Sequence, residues 1–391
     1  MKKTIIFGVN ERAVQYVLNH QDEDIAVVDV KNFLRRPKYV FFKDDITQLF
    51  YHSAQVRKSL MSHSFKESQD FFRQISSSHH EKEKELKQLL LNQLKRLNVD
   101  IYRGHVSFNG ENQVTLRYLD NVDVLSYDQA FLNAGYYEKH DREHAFVFTL
   151  DELIHGEHLY ESIIIEAKTL RSLEIAEMFA HFGTKVTLVC DRKFFNQIEH
   201  LMFRDAIKLS LIDANITILE KKEIDSIDYH DTNLTVHLKS QSQLAFEIME
   251  NDSVDSVTAD ILVVEGKLTR NSFDKELEIF DDLAESTMKI LYLSKPFVTL
   301  EKNKHVNDRV VRLDASQIPY FVLRYEEEGG LEVSVNPESN QITSASIYTH
   351  QAIDIGQCIE LMMNQSLSLD TIKDVSPDSI FSVLLKVKES V

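Results

Sequence analysis

An α/β fold, built from two βαβ domains of the nucleotide-binding type and a smaller C-terminal α+β domain, is predicted by three stretches of this sequence. Residues 162–190, SIIIEAKTLRSLEIAEMFAHFGTKVTLVC, hold two short apolar runs on either side of a helical pattern. Residues 4–29 repeat that unit in miniature. Between residues 321 and 363, alternating strands run into an amphipathic helix.

Taken from the start, Thr4-Ile5-Ile6-Phe7-Gly8 reads as a buried strand, Val14, Val17 and Leu18 as a helix face, and Ile25-Ala26-Val27-Val28-Asp29 as a second strand ending in an acid. The turn between them, Gly8-x-Asn10-x-x-Ala13, has the spacing of G-x-G-x-x-G/A, whose bare backbone lets a pyrophosphate reach a helix N-terminus. Gly8 keeps the first position and Ala13 the tolerated third. Asn10 stands at the second, where it can adopt a left-handed backbone while its side chain crowds a diphosphate. Asp29 follows the turn by about 20 residues, where an acid would hold a ribose hydroxyl. Two readings stay open: a nucleotide site, or a tight turn in a retained scaffold. Lys31, Arg35, Arg36 and Lys38 follow as a basic patch, suited to a 2′-phosphate or to a solvated loop.

Residues 64–98 are a charged helical stretch in which Leu86, Leu89, Leu90, Leu94 and Leu97 keep helical spacing. Val106-x-Phe108 and Val114-x-Leu116-x-Tyr118 alternate about Asn109-Gly110, which predicts a hairpin. Residues 124–132 lead to Asn133-Ala134-Gly135. His140, His144, His155 and His158, with Asp141, Glu143 and Glu157 alongside, have spacings a metal could use. No single motif among them fixes a geometry, histidines in a polar linker are usually just solvated, and no metal site is assigned.

In the central unit Ile163, Ile164 and Ile165, then Val186, Leu188 and Val189, read as strands covered on both faces. Leu173, Ile175, Ala176, Met178, Phe179 and Phe182 fill the inward face of the helix that Gly183 ends. Its phosphate-loop positions are Ala167, Thr169 and Ser172, three side chains where glycines would stand, and Glu166 adds a repelling charge. Further strands are expected at Ile216-Thr217-Ile218, Thr235 to Leu238, the run from Ala259 to Lys267, and Ile290-Leu291-Tyr292-Leu293. Phe321-x-Leu323, Leu331-x-Val333-x-Val335 and the run from Ile342 to Tyr348 read as alternating strands about an Asn336-Pro337-Glu338-Ser339-Asn340 turn. A helix follows, with Ile353, Cys358, Ile359, Met362 and Met363 mostly inward.

Composition narrows the function classes. A formal charge of −18 argues against general affinity for nucleic acid or anionic membrane. No apolar run approaches the roughly 20 residues of a membrane span, and no signal-peptide core follows Met1-Lys2-Lys3, so a cytoplasmic location is expected. Cys190 and Cys358 are the only cysteines, and neither a disulfide framework nor a CxxC motif can be built from them within one chain. Glycine is scarce, 10 in 391 residues against a usual share of about 7%. Two working dinucleotide sites would need more, for tight turns and close backbone approach.

Leu173-Glu174-Ile175-Ala176-Glu177, then His181-Phe182-Gly183-Thr184-Lys185-Val186-Thr187-Leu188-Val189, resembles the NAD-domain segment of the flavin-dependent pyridine nucleotide-disulfide oxidoreductases, the family of lipoamide dehydrogenase, glutathione reductase and mercuric reductase. The resemblance continues in order to both chain ends. It implies two Rossmann-like domains, FAD-like and NAD-like, and a C-terminal α+β dimerisation domain. The boundaries it implies are 1–150 for the first part of the FAD-like domain, 151–275 for the NAD-like domain, 276–308 for a remnant of the FAD-like domain, and 309–391 for dimerisation.

Each group that carries chemistry in that family departs from its pattern here. No cysteine pair lies in residues 30–60. Asn133-Ala134-Gly135 resembles the family's A-T-G with its threonine replaced, so Ala134 and Gly135 keep a backbone role only. Gly266-Lys267 stands for Gly-Arg, and Ser294-Lys295 for the Gly-Asp that approaches the flavin. Near the end, Ser376-Pro377 takes the place of the His-Pro motif and Phe381 that of the following Glu; neither carries a proton at neutral pH as an imidazole does.

The expectation is therefore a catalytically degenerate relative: a homodimer through 309–391 that serves as a scaffold or binds a ligand or protein partner, with no assigned catalytic residue. The alternative is a flavin- or nucleotide-binding oxidoreductase using the N-terminal site alone. Any cofactor, FAD above all, is expected on Gly8, Asn10, Ala13, Asp29, Ala134 and Gly135, and NAD(P) is not expected at the second loop.

Overall fold

The first apolar run becomes strand β1 (Lys3–Phe7), followed by helix α1 (Glu11–Asn19) and strand β2 (Asp24–Val30), with β1 and β2 parallel and in register from Lys3↔Asp24 to Phe7↔Val28. The computed structural model describes residues 2–9, 11–30, 52–54, 56, 64–109, 112–119, 121–132, 137–139, 144–154, 156–241, 254–265, 267–269, 278–279, 288–302, 304–373 and 375–391. Asn10, Lys31, Arg35, Arg36, Lys38, Gly110, Asn133, Ala134, Gly135, His140, Asp141, Glu143, His155 and Gly266 lie outside the described residues, as does most of 30–60.

Helix α2 (Phe65–Arg96) runs for 32 residues and starts at a capping box, in which the Ser64 backbone N–H donates to Glu67 at 2.8 Å and the Glu67 N–H donates to the Ser64 hydroxyl. At about 1.5 Å per residue it is long enough to serve two domains. Near its C-terminus Leu90, Leu91 and Leu94 pack with Ala13, Val14 and Val17 of α1. Near its N-terminus the buried Phe72 ring lies 5.8 Å from Phe179 and 5.3 Å from Phe182. Leu89, expected inward, is 61% exposed, because it falls off the stripe set by Leu86, Leu90, Leu94 and Leu97.

Strands β3 (Asp100–Phe108), β4 (Gln113–Tyr118) and β5 (Asn121–Ser126) form an antiparallel meander whose first turn is the expected hairpin. β6 (Gln129–Leu132) returns parallel to β1 on its other side, and β7 (Tyr137–Lys139) leads out. Ile6 and Val27 point to the helices, and Ile5, Phe7, Ala26 and Val28 to Val106, Val114 and Leu116.

The second domain opens with β8 (Val147–Thr149) and α3 (Leu150–Ile154). The central βαβ unit follows as β9 (Ser162–Ala167), α4 (Arg171–His181) and β10 (Lys185–Cys190). Next come α5 (Leu201–Asp213), β11 (Thr217–Glu220), β12 (Lys222–Tyr229), β13 (Leu234–Ser240), β14 (Ser256–Ala259), β15 (Ile261–Val264) and β16 (Lys267–Thr269). The parallel sheet runs β11-β10-β9-β15-β8, with helices on one face and the antiparallel β12-β13-β14 sheet on the other. All six predicted inward residues of α4 are fully buried, and Gly183 closes the helix at φ +94°, a conformation that favours glycine. β16 pairs with β7 as a two-stranded ribbon.

β17 (Glu278–Ile279) joins the first sheet parallel to β6. β18 (Met288–Leu291), β19 (Phe297–Glu301), β20 (Arg309–Asp314), α6 (Pro319–Val322), β21 (Gly330–Val335), β22 (Ile342–Tyr348), α7 (Ala352–Asn364) and α8 (Phe381–Ser390) make the last domain, an antiparallel sheet in the order β18-β19-β22-β21-β20. Among the described residues no helix is long and apolar enough to cross a membrane.

Two expectations are corrected. Among the described residues of 276–308, only Glu278–Ile279 joins the first sheet; β18 and β19 hairpin onto β22, so Met288 already belongs to the last sheet, ahead of 309. Phe321-x-Leu323 is not a strand: Pro319 starts a short helix there, with Phe321 inward and Leu323 outward. Met362 and Met363 of α7, expected inward, are each 5% exposed and packed in the core of this domain.

Candidate functional site

At the N-terminal loop Gly8 has φ +117°, the positive value that a tight turn needs, and its N–H donates to Val28 at 2.9 Å. Ala13 is fully buried where α1 packs on the sheet. The structure thus brings Gly8, Ala13 and the β2 strand together as the spacing predicts. Asp29 is 4% exposed and already engaged on both oxygens. Lys87 on α2 donates to Oδ1 at 2.5 Å, and Arg103, opposite Asp29 on β3, donates to Oδ2 at 2.8 Å. The hydrogen bond and charge of Asp29 push the Arg103 guanidinium further up from its ordinary range. Gly8 and Ala13 are compatible with a dinucleotide; Asp29, almost wholly buried, shares its carboxylate with Lys87 and Arg103, so a ribose hydroxyl would compete with two cations for it.

The second loop is closed more directly. β9 ends at Ala167, and the backbone N–H groups of Lys168 and Thr169 point at the Oε1 atom of Glu265, at 3.2 and 2.9 Å. The Ser172 hydroxyl donates to the same oxygen. Glu265 follows β15, which lies beside β9 in the sheet, so topology delivers its carboxylate to the start of α4. A carboxylate there meets the positive end of the helix and takes the amides that a pyrophosphate would use. Around it, Lys168 pairs with Glu166 at 3.4 Å and Gln197 donates to the Lys168 carbonyl at 2.9 Å. The residues of this loop do not fit NAD(P).

Two further acids on α4, Glu174 and Glu177, are buried and accept hydrogen bonds from the last domain. Glu174 accepts from the Tyr292 N–H at 2.6 Å, and Glu177 from the Ser294 N–H and hydroxyl at 2.6 and 2.8 Å. They fasten the second domain to the β18–β19 turn. Lys295, expected near the flavin phosphates, instead bonds Glu328 in the last domain. Cys190 is buried, and burial pushes its thiol up to about 12; burial also raises Cys358. Neither thiol is poised to be a nucleophile at neutral pH. Phe381 begins α8, 44% exposed. His144 stacks on Tyr229 at 3.6 Å, and among the described residues no three metal-ligating side chains converge.

Sequence reasoning missed Glu265, Lys87 and Arg103. The signal for Glu265 was its place: an acid one residue past a parallel strand shares the sheet edge with the neighbouring strand's turn. Lys87 carried no signal, since its partner is 58 residues away.

Similarity to known proteins agrees with this architecture. The fold superposes over its length on the HOCl-induced flavoprotein disulfide reductase RclA of Escherichia coli, with a TM-score of 0.71, 15% identity and coverage of 98% of this chain and 100% of that one. LpdA of Mycobacterium tuberculosis gives a TM-score of 0.74 at 9% identity, covering 100% and 99%. By sequence, the soluble pyridine nucleotide transhydrogenases of Hahella chejuensis and Colwellia psychrerythraea are 25% and 23% identical over 154 residues. Each match spans 38% of this chain and 33% of the relative's length. No family model matches. The resemblance to the pyridine nucleotide-disulfide oxidoreductase family, read from 173–189, is upheld, and the chain has the flavoprotein disulfide reductase fold.

Proposed function

We propose that this chain is a reductase-fold protein without disulfide chemistry, a cytoplasmic homodimeric scaffold or ligand- and partner-binding protein whose second dinucleotide loop is satisfied by its own side chain. The observation that carries this reading is Glu265, whose carboxylate rests on the Lys168 and Thr169 amides. Hydrogen bonds to a charged group contribute about 1.5–3 kcal/mol each, so a pyrophosphate must displace a ligand that never leaves by diffusion. The protonated, buried Cys190 and the two side chains without a titratable group at the terminal motif, Ser376 and Phe381, support the same reading. Dimerisation through the last domain is what the family resemblance implies, and the exposed apolar residues around α6 and α8 suit it.

Gly8 and Ala13 favour one second reading, a flavin- or nucleotide-binding oxidoreductase that uses the N-terminal loop alone. The absorption spectrum of the purified chain, taken with an assay of NADPH-dependent reduction of glutathione disulfide, separates the two. The scaffold reading expects a colourless protein with no turnover. A flavin spectrum without disulfide turnover favours the second reading, and NADPH-dependent turnover contradicts both.

A further inference from the structure

A cleft of about 710 Å³ lies between the start of α4, the segment before α5, and the sheet of the last domain. Its volume is in the range of small-molecule sites; it borders the second dinucleotide loop at Gln197, while Glu265 and the loop amides do not line it. Register explains its character. The row Leu291↔Phe297↔Tyr348 crosses β18, β19 and β22 as the apolar seam against the second domain, with the Phe297 ring 5.6 Å from Phe203. The next row on that face, Lys289↔Thr299↔Ser346↔Glu332↔Arg312, spans all five strands and is wholly polar. At one end Glu332 is spent inside the protein, accepting from Arg312 at 2.7 Å and pairing with His200 of the second domain at 2.9 Å. At the other end Lys289 and Glu301, both exposed and both lining the cleft, have no ion-pair or side-chain hydrogen-bond partner among the described residues.

From this arrangement we infer that the cleft binds a short apolar peptide with both termini free, its carboxylate toward Lys289 and its ammonium toward Glu301. Lys289 opposes Thr299, so Glu301 is its diagonal neighbour, and such positions are rooted about 7–8 Å apart. Two extended residues span roughly 7 Å, which matches the separation of the charges on a dipeptide. Beside them lie Thr299, opposite Lys289, and Ser346 on the next strand beyond it, and Leu170, Leu291 and Phe297 offer an apolar wall for side chains. Lys289, Ile290 and Leu291 all line the cleft although successive strand side chains alternate, so the backbone of β18, the sheet's edge strand, borders it and can pair with a peptide. This inference stands whether or not the dinucleotide loops are closed.

The test is calorimetric titration of the full chain with Leu-Leu, N-acetyl-Leu-Leu and Leu-Leu-amide. Saturable binding of Leu-Leu, weakened at least tenfold by blocking either end, is expected. Lys289→Gln should bind Leu-Leu and its amide alike, and Glu301→Gln should no longer distinguish Leu-Leu from the acetyl form; both are surface changes that leave the melting temperature in place. No saturable heat at millimolar Leu-Leu, equal binding of blocked and free forms, or variants that discriminate as the wild type does would each overturn it.

Discussion

Glu265 and Asp29 show how a side chain can close a site by doing the ligand's work. Glu265 supplies an anion to the start of α4, and Asp29 holds Lys87 and Arg103 where a ribose would approach. Each acid sits at the end of a parallel strand, the position where open α/β sheets bind ligands. Glu265 sets a negative charge at the start of α4, whereas Asp29 is paired with two cations. Burial shapes the thiol at the neighbouring strand end as well. Cys190 holds its proton up to about 12, while the unfolded thiol releases it near its ordinary value of 9.0. Between those values unfolding releases a proton, so the contribution of Cys190 is fully present below pH 9 and falls as pH rises toward 12. Urea denaturation of wild type and Cys190→Ala at pH 8 and 10.5 checks this: the wild type should lose more stability over the interval. Equal losses would show that the buried thiol ionises as freely as an exposed one.

Among the elements, α2 carries the largest consequence, because its two ends belong to different cores. Phe72 lies with Phe179 and Phe182 beside the second domain, and Leu94 lies with α1 in the first. Phe72→Ala should lower stability by about 3–5 kcal/mol, whereas Leu89→Ala, on the exposed side of the helix, should change it by under about 0.5 kcal/mol. Chemical denaturation of both variants measures the contrast, and similar effects would contradict the packing. Helical spacing made α2 legible, with Ser64 as its start, because helix periodicity is local information. The βαβ units were legible for the same reason, down to the six inward residues of α4. What was not legible depends on pairing across distance. The β18–β19 hairpin was read as a return to the first sheet because Ile290 to Leu293 looks like any buried strand, and only the partner β22 assigns it. Phe321 and Leu323 were read as alternation because two apolar residues cannot separate a period of two from one turn of helix. Glu265 was missed because its place past a strand marks the sheet edge but not which neighbouring turn it meets, and that depends on strand order.

At the scale of the molecule, the last domain sets how copies of the chain could meet. Val322, Leu323 and Tyr325 are exposed after α6, and Arg324 between them donates to the Asp378 carbonyl at 3.1 Å, which brings that turn beside Phe381 at the start of α8. A dimer through this domain should therefore be broken by Leu323→Glu combined with Tyr325→Glu, giving a monomer in sedimentation velocity. A dimer that survives both substitutions would place the interface elsewhere. Within one chain, Glu174 and Glu177 lock the second domain to the β18–β19 turn, and α2 ties it to the first. The reductase fold is kept while the amides of its second dinucleotide loop are taken by Glu265. Calorimetric titration of NADPH into the full-length wild type tests that claim most directly. No saturable binding at millimolar nucleotide is predicted; micromolar binding, lost on substitution of Thr169 or Ser172 by a bulky residue, would contradict it.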